Sequence, residues 1–415
     1  MRTERLAWMV AGLLFAASVV NYIDRAVLAV VMPQVRRDLG LTATDYALAV
    51  NAFLAMYMVA YILGGRVADR LGCRRTFLAT IVFWSLASMA HAAVRGLGTL
   101  ALFRALLGMG EAGFYPAAIR GAAEWFPPES RAKAVGLVLS ALSVGTLVTP
   151  PLVALITLRS GWRAAFVATG ALGLLLVPPW VALHRKIRSV YGAPDPAPAL
   201  ERAPRAAAED PVTLGRVLGT RKYWRMLAAR GCSDAAWYFY LFWMPGYFQE
   251  ARGLTLEAVG RLLWIPYFSA GVGALAGAWA ASALIQRGLG LDAGRKTVLA
   301  ASAALCFAGS WAWLPAGVPP ALALVSLALF AHQAWSTNIH TAITEISPAA
   351  HVSVLYGITG AAGTLMGALV QSLVGPVVDH LGYDPAFVGA GALYLLAVGL
   401  LFGAGKIERI RGPGI

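Results

Sequence analysis

The chain has 415 residues, of which 59% are hydrophobic and only 13% charged, and its formal net charge is +14. A soluble protein of this length normally carries about 25% charged residues, so the composition argues against a soluble globular protein. The positive charge does not indicate nucleic-acid binding, because the basic residues crowd into particular loops between long apolar segments.

The apolar segments predict membrane-spanning helices. A bilayer core about 30 Å thick is crossed by roughly 20 apolar residues, and only a helix satisfies its own backbone hydrogen bonds in lipid. The sequence predicts an all-α membrane protein with twelve spans. In chain order they cover residues 8–31, 46–66, 76–95, 98–120, 132–157, 162–183, 223–248, 258–286, 296–315, 320–345, 352–378 and 386–405.

One long polar segment lies between spans six and seven. It is rich in Pro, Ala and charged residues, which is typical of a linker. The predicted organisation is therefore a six-helix bundle over residues 1–183, a cytoplasmic linker over 184–221, and a second six-helix bundle over 222–415.

The distribution of basic residues predicts the orientation. If both termini are cytoplasmic, the cytoplasmic segments hold 24 of the 34 Lys and Arg residues and the opposite loops hold seven. The positive-inside rule then predicts a multi-pass protein of the bacterial cytoplasmic (inner) membrane with both termini in the cytoplasm. Its expected partners are membrane lipid and a small solute, without nucleic acid, and the expected state is a monomer.

Two loops at matching places in the two halves suggest an internal repeat. The loop after span two reads GGRVADRLGCRRT, and the loop after span eight reads GAWAASALIQRGLGLDAGRKT. The first loop, at residues 65–75, resembles the signature loop of the major facilitator superfamily, with Cys73 in place of a basic residue. This resemblance implies two pseudo-symmetric six-helix bundles. It also implies that Asp69 caps a neighbouring helix end and that Arg70 and Arg74 hold a cytoplasmic gate.

Four further segments resemble a narrower branch of that superfamily, the anion:cation symporters, and within it the hexuronate and galactonate transporters. They are residues 21–25 (NYIDR), 104–136, 288–299 and 331–338. The resemblance implies proton-coupled import of a small organic anion, most of all a sugar acid, by alternating access. The proton is then the coupling ion, and no other cofactor is expected.

One departure from those relatives concerns the substrate. They often carry a Ser-Gly step and sometimes a Gln in the fifth helix, where this chain reads SALS at residues 140–143. Loss of a polar group there leaves simple mono- or dicarboxylates and aromatic acids as alternative substrates. An exporter or exchanger of the same fold is a further alternative, although span five lacks the Gly-Pro pair that is usual in drug exporters.

Ionisable residues inside the predicted spans are few, and each is costly in lipid, so they are expected to face a cavity. Arg104 and Glu111 are seven residues apart and share a helix face, with Gly108 between them. Arg25 and Arg104 are candidate carboxylate receptors, because a guanidinium is a planar fork that matches a carboxylate. Internal ion pairs, Arg25 with Glu111 or Arg104 with Asp24, are compatible with that role.

Asp24 and Glu111 are candidates for proton coupling. An apolar environment favours a protonated carboxyl and a nearby guanidinium favours an ionised one, so a carboxyl between these influences can load and release a proton. Fixed structural pairing with Arg is the alternative. Arg230, in span seven, is expected to snorkel toward the cytoplasmic end, and Asp234 is a weaker site candidate.

Polar and aromatic side chains in spans one, two and ten suit the hydroxyl groups of a sugar acid. Trp335, Asn338 and Thr341 follow three-residue steps and therefore share a face. Packing or interhelical hydrogen bonding is the alternative role for each. The complete set of predicted substrate contacts is Tyr22, Arg25, Tyr57, Arg104, His332, Gln333, Trp335, Ser336 and Asn338.

Other functional classes find less support. An enzyme in the membrane needs a metal cluster or an acid, base and nucleophile near an interface. The sequence shows no His/Asp cluster, nucleophile elbow or Walker-type phosphate loop, so neither an enzyme nor a metal site is predicted. A sensor without transport usually carries a soluble signalling domain, and the longest polar stretch here is the central linker.

Overall fold

The computed structural model describes residues 2–191, 212–348 and 351–410, and within these ranges the chain is helical apart from short connections. The chain also contains two π-helical turns, Tyr247–Ala251 and Ile285–Leu289. The α-helices are α1 (Arg2–Leu39), α2 (Ala43–Ala90), α3 (Leu97–Ala112), α4 (Phe114–Trp125), α5 (Pro128–Leu175), α6 (Val177–Tyr191), α7 (Leu214–Leu218), α8 (Arg221–Gly246), α9 (Leu256–Leu262), α10 (Trp264–Leu284), α11 (Leu291–Gly309), α12 (Val318–Ile346), α13 (Val352–Leu381) and α14 (Asp384–Gly403).

Twelve long crossings can be counted among the described residues, which confirms the predicted number. α2 and α5 each contain two crossings, because they bend sharply at Gly72 and Gly161. Both glycines have a positive φ, 73° and 81°, which residues with a side chain rarely adopt. α3 and α4 form one crossing that is interrupted at Gly113.

Length and apolarity alone identify nine candidate spans in the described part of the chain. One of them, Lys133–Ser189, is 57 residues long and contains the Gly161 bend, so it accounts for two crossings. α8 and α11 supply the remaining two. Their apolar character is weaker, and α8 in particular carries the charged residues Arg230 and Asp234.

The chain divides into two compact units. The first unit is Met1–Pro204 with Leu254–Trp264, and the second is Arg205–Gly253 with Ile265–Ile415. The short α9 therefore groups with the first unit. Of the predicted linker at 184–221, residues 192–211 lie outside the described residues, whereas the flanking α6 and α7 are helical.

Helix ends follow local sequence signals. α2 begins with a capping box, in which the Thr42 side chain accepts a hydrogen bond from the Asp45 N–H, and the Asp45 carboxylate accepts one from the Thr42 N–H at 2.9 Å. Thr220 and Thr255 cap α8 and α9 by the same kind of side-chain bond. Such caps satisfy backbone donors that the first helical turn leaves without partners.

Small residues bring the helices close together, as in other membrane bundles. In the first unit α2 packs on α3, and α1 packs on α5. A Cβ on Gly108 of α3 would lie 2.3 Å from the Phe53 carbonyl oxygen of α2, and a Cβ on Gly145 of α5 would lie 2.6 Å from the Tyr22 Cβ of α1. These two glycines therefore allow the contacts that position the charged residues of α1 and α3.

Gly108→Ala is expected to destabilise the first unit by about 1–3 kcal/mol, because the added methyl meets rigid backbone. Gly12→Ala is the matched control, since a Cβ on Gly12 has no neighbour within 4 Å and alanine is the better helix former. The melting temperatures of both purified variants, measured in the same detergent, test this prediction, and only Gly108→Ala is expected to melt at a lower temperature than wild type. Equal melting temperatures for the two variants would contradict the close contact between α2 and α3.

Candidate functional site

A buried ion pair joins α1 to α3 in the first unit. The Arg25 Nε donates to Glu111 Oε2 at 2.9 Å, and Arg25 Nη2 lies 2.9 Å from the same oxygen. The Glu111 side chain is fully buried, and Arg25 is 7% exposed. The structure thus brings together two residues that are 86 positions apart and that the sequence offered as one of two alternative pairs.

Aromatic rings surround the Arg25 guanidinium. Its central carbon lies 5.2 Å from the ring centre of Tyr22, 5.4 Å from that of Phe53 and 4.7 Å from that of Tyr57. The Tyr22 and Tyr115 hydroxyls lie 3.0 Å apart. Cation–π contacts of this kind hold the guanidinium plane in one orientation, and the rings of Tyr22 and Tyr57 are half-buried.

Arg104 lies beside Arg25 and is completely buried in α3. Its Nη1 donates to the Arg25 backbone oxygen at 3.5 Å, and its central carbon lies 4.6 Å from the Phe53 ring centre. Among the described residues, its Nε and Nη2 have no hydrogen-bond partner. A buried guanidinium with unused donors is an unusual feature that suits anion recognition.

Asp24 does not pair with Arg104 in this structure. The Ser88 hydroxyl of α2 donates to Asp24 Oδ1 at 2.8 Å. Within the described part of the chain, Asp24 Oδ2 and both side-chain polar atoms of Asn21 lack hydrogen-bond partners. Asp24 and Asn21 are both fully buried, so α1 presents an incompletely satisfied polar patch next to the Arg25–Glu111 pair.

The first unit therefore holds two guanidinium groups and two carboxyl groups in one buried region. Arg25 already has a carboxylate partner, and Arg104 has donors to spare. An incoming carboxylate could bind to either guanidinium, and protonation of Glu111 would release Arg25 to do so. The arrangement can thus exchange ion-pair partners, which is the chemistry of an anion-binding site that is linked to proton binding.

The predicted residues of α12 lie in the second unit and have varied surroundings. His332 Nδ1 is hydrogen-bonded to the Tyr394 hydroxyl, and its ring stacks on Trp237 at a centroid distance of 4.8 Å. Trp335 is fully buried with its ring edge-on to Tyr394. Gln333 and Ser336 are half-buried, so these two are the more accessible members of the predicted set.

Asn338 joins helices in the second unit. Its Nδ2 donates to the carbonyl oxygens of Gly277 at 3.0 Å and Ala334 at 2.9 Å, and its Oδ1 accepts from Arg295 Nη1 at 3.0 Å. Arg295 is in turn paired with Glu345 at 2.8 Å. All these bonds are internal, so the geometry favours the interhelical role that the sequence left as the alternative.

Sequence reasoning missed an ion pair on α8 between the buried Arg230 and the half-buried Asp234. Arg230 does not snorkel: it is 7% exposed, and its Nε donates to Asp234 Oδ2 at 3.3 Å. Its Nη1 donates to the Thr359 hydroxyl of α13 at 2.5 Å. The available signal was the spacing, since an Arg and an Asp four residues apart in an apolar segment lie on one face of a helix.

The predicted gate residues lie at the bend of α2. The Asp69 side chain lies outside the described residues, Arg70 is exposed and Arg74 is half-buried. The Trp180 indole nitrogen donates to the Arg74 carbonyl oxygen at 3.3 Å, which ties this bend to α6. In the part of the chain that the structure describes, no three His, Cys, Asp or Glu residues are grouped so that they could hold a metal ion.

The twelve-crossing helical fold is that of a multi-pass membrane protein, and charged side chains buried inside such a bundle are usually functional. The family model of the Major Facilitator Superfamily matches residues 14–371, and the chain belongs to this superfamily. The fold agrees: a bacterial homologue of the human lysosomal transporter Spinster, solved in an inward-facing and unoccupied conformation, aligns with a TM-score of 0.76 at 18% identity. That alignment covers 96% of this chain and 95% of the homologue.

Three curated relatives are similar along nearly their whole length. The hexuronate transporter of Escherichia coli (strain K12) is 27% identical, with 95% of this chain and 93% of the relative covered. The hexuronate transporter of Bacillus subtilis (strain 168) is 29% identical, with 92% and 91% covered. The probable sulfoacetate transporter SauU of Cupriavidus necator is 28% identical, with 97% and 93% covered.

Proposed function

We propose that this transporter imports a small organic anion, most of all a sugar acid such as a hexuronate or an aldonate, together with protons. The observation that carries the proposal is the buried Arg25–Glu111 pair with Arg104 and Asp24 beside it. The names of the hexuronate-transporting relatives support the substrate class.

Charge balance motivates the coupling to protons. Two guanidinium groups and two carboxylates leave the cluster formally neutral, so a bound monoanion adds one uncompensated negative charge in a region of low dielectric constant. Uncompensated charge there is costly, and protonation of Glu111 or Asp24 removes it. Binding of the anion and binding of a proton therefore favour each other, which is the thermodynamic requirement for symport.

The expected setting is the bacterial cytoplasmic membrane with both termini in the cytoplasm. This rests on the concentration of Lys and Arg in the segments that would then be cytoplasmic. In that orientation an inward-directed proton gradient drives accumulation inside the cell. The gate residues Asp69, Arg70 and Arg74 would lie on the cytoplasmic side.

Uptake into proteoliposomes tests this function. Radiolabelled galacturonate and galactonate are offered with and without an imposed inward proton gradient, and accumulation is expected only with the gradient. Uptake of either acid that ignores the gradient would contradict proton coupling and favour exchange or facilitated diffusion. Uptake of neither acid, with binding of benzoate or acetate instead, would contradict the sugar-acid assignment.

A further inference from the structure

A non-helical strap follows α14 and lies against other helices of the second unit. It consists of residues 404–410. The Ile407 N–H donates to Asp292 Oδ1 of α11 at 2.7 Å, and the Ile410 N–H donates to the Ile346 carbonyl oxygen of α12 at 2.9 Å. Because the Ile407 and Ile410 side chains are buried, the strap is anchored by apolar contacts as well as by hydrogen bonds.

The strap lies beside the beginning of α8. The Arg225 Nη1 donates to the Gly403 carbonyl oxygen directly before the strap, and the Lys222 Nζ lies 3.8 Å from Glu408 Oε1 within it. The two segments therefore form one surface, called here the strap–α8 surface. It consists of residues 221–225 and 403–410. This surface contains five basic residues and one acid, and the acid is already paired with Lys222.

Four basic side chains of the strap–α8 surface are exposed, and none of them pairs with a carboxylate in the part of the chain that the structure describes. They are Arg221, Arg225, Lys406 and Arg409. Arg221 and Arg225 are one helical turn apart on α8, where like charges repel each other. Their place at the beginning of the helix adds to this cost, because the helix dipole favours anions there and the first turn holds no acid. A bound anion would relieve both unfavourable interactions.

Large apolar side chains are exposed beside these charges. Trp224 and Phe402 are each 51% exposed, and Leu395 and Leu396, farther along α14, are 50% and 54% exposed. Because α14 is long and apolar enough to cross a membrane, its exposed apolar residues are expected to face lipid. Tryptophan and basic residues are typical of the boundary between the apolar core of a bilayer and its headgroups. The strap–α8 surface is therefore expected at the level of the phospholipid headgroups.

We propose that the strap–α8 surface binds the headgroup of an anionic phospholipid. Arg221 and Arg225 receive the phosphate oxygens in a fork, and Lys406 and Arg409 add positive charge. Clusters of basic residues at the end of a membrane-spanning helix attract anionic lipids in this way. The acyl chains then lie along α14 beside Phe402, an apolar contact that a free phosphate ion would not make. The site lies entirely within the second unit and does not involve the transported anion, so it can be tested independently of the proposed function.

Thermal unfolding tests the proposal, because a ligand that binds the folded state raises the melting temperature. Purified protein in a nonionic detergent is titrated with phosphatidylglycerol and, in a parallel series, with phosphatidylcholine of the same acyl chains. Phosphatidylglycerol is expected to raise the melting temperature by about 3 °C or more above the value in phosphatidylcholine. Equal shifts with the two lipids would contradict the proposal, since only the acyl chains would then contribute.

The double variant Arg221→Gln with Arg225→Gln is expected to bind phosphatidylglycerol about tenfold more weakly, because the phosphate loses its forked partners. The midpoint of the lipid titration measures this loss. The matched control is Arg185→Gln with Arg188→Gln, which also removes two exposed positive charges near the end of a helix, but in the first unit and beside the buried Ile187. The control should bind phosphatidylglycerol like wild type. An equal loss in both double variants would mean non-specific attraction to basic residues and would overturn the proposal.

Inorganic phosphate and the variant Trp224→Ala distinguish a membrane lipid from a soluble anion. Phosphate alone should leave the melting temperature unchanged at concentrations at which phosphatidylglycerol raises it, and Trp224→Ala should weaken binding of the lipid. If phosphate stabilises the protein as much as the lipid does, or if Trp224→Ala binds the lipid like wild type, the proposal is wrong. If the arginine double variant does not fold because the bond from Arg225 to Gly403 is lost, Lys406→Gln with Arg409→Gln replaces it and is judged by the same criterion.

Discussion

Arg25→Ala and Arg104→Ala are each expected to weaken binding of the transported acid at least a hundredfold. Both guanidinium groups lie near the Phe53 ring in the first unit, and each hydrogen bond between charged partners contributes about 1.5–3 kcal/mol. Isothermal titration of the purified variants with the best wild-type substrate measures the loss. Arg25→Lys should recover only part of it, because an ammonium keeps the charge but not the planar fork.

Arg163→Ala is the control for this prediction. Arg163 also lies over an aromatic ring, at 4.1 Å from the centre of Trp162, and near a carboxylate, at 4.0 Å from Asp38, but its side chain is 46% exposed. If Arg25→Ala fails to fold because Glu111 is left unpaired, Arg25→Gln combined with Glu111→Gln replaces it. If the Arg25 and Arg104 variants bind the acid with wild-type affinity, the hypothesis of an anion site in the first unit is wrong.

Asp24→Asn and Glu111→Gln are each expected to abolish proton-driven accumulation. At least one should retain counterflow exchange of substrate, because exchange requires alternation of access but no net proton movement. With two carboxyls, a monoanion that moves with two protons transfers one positive charge, which gains roughly 2.3 kcal/mol per 100 mV of inward-negative potential. With one proton the cycle is neutral and the potential contributes nothing.

Currents on a solid-supported membrane measure this prediction. Because both buried carboxyls are expected to load a proton in each cycle, addition of substrate to wild-type proteoliposomes should give an inward positive current that both variants lack. Glu257→Gln is the matched control, because Glu257 is an exposed carboxylate that is paired with Arg261 outside the cluster. Absence of a wild-type current, together with uptake that ignores a pH gradient, would contradict coupling by these two residues.

Structural features that depend on a periodic or local property of the sequence were predicted correctly. Long apolar segments predicted the twelve crossings, and the seven-residue spacing of Arg104 and Glu111 placed both on one face of α3 with Gly108 between them. The choice of Glu111 rather than another acid as the partner of Arg25 depended on how α1 packs against α3. No spacing within one helix contains that information.

Contacts between helices explain what could not be predicted. Arg230 was expected at the end of its span, but Thr359 and the glycines of α13, which lie more than 120 residues away, hold it in the interior. Asn338 shares a predicted face with Trp335, yet its amide is directed to the Gly277 backbone and to Arg295. In both cases a partner from a distant segment determines the role of a side chain whose helix was correctly predicted.

The resting pairing of Arg25 with Glu111 has a consequence for the proposed binding of an acid. Because the carboxylate is tethered next to the guanidinium, it competes with substrate as a ligand at an effective concentration of about millimolar or above. An acid from solution must displace it, so the dissociation constant is raised in proportion to that competition. The residence time of the bound acid is shortened accordingly, since affinity differences appear mainly in dissociation rates. Under the proposed function, we therefore expect this site to favour rapid release of its cargo over tight capture of it.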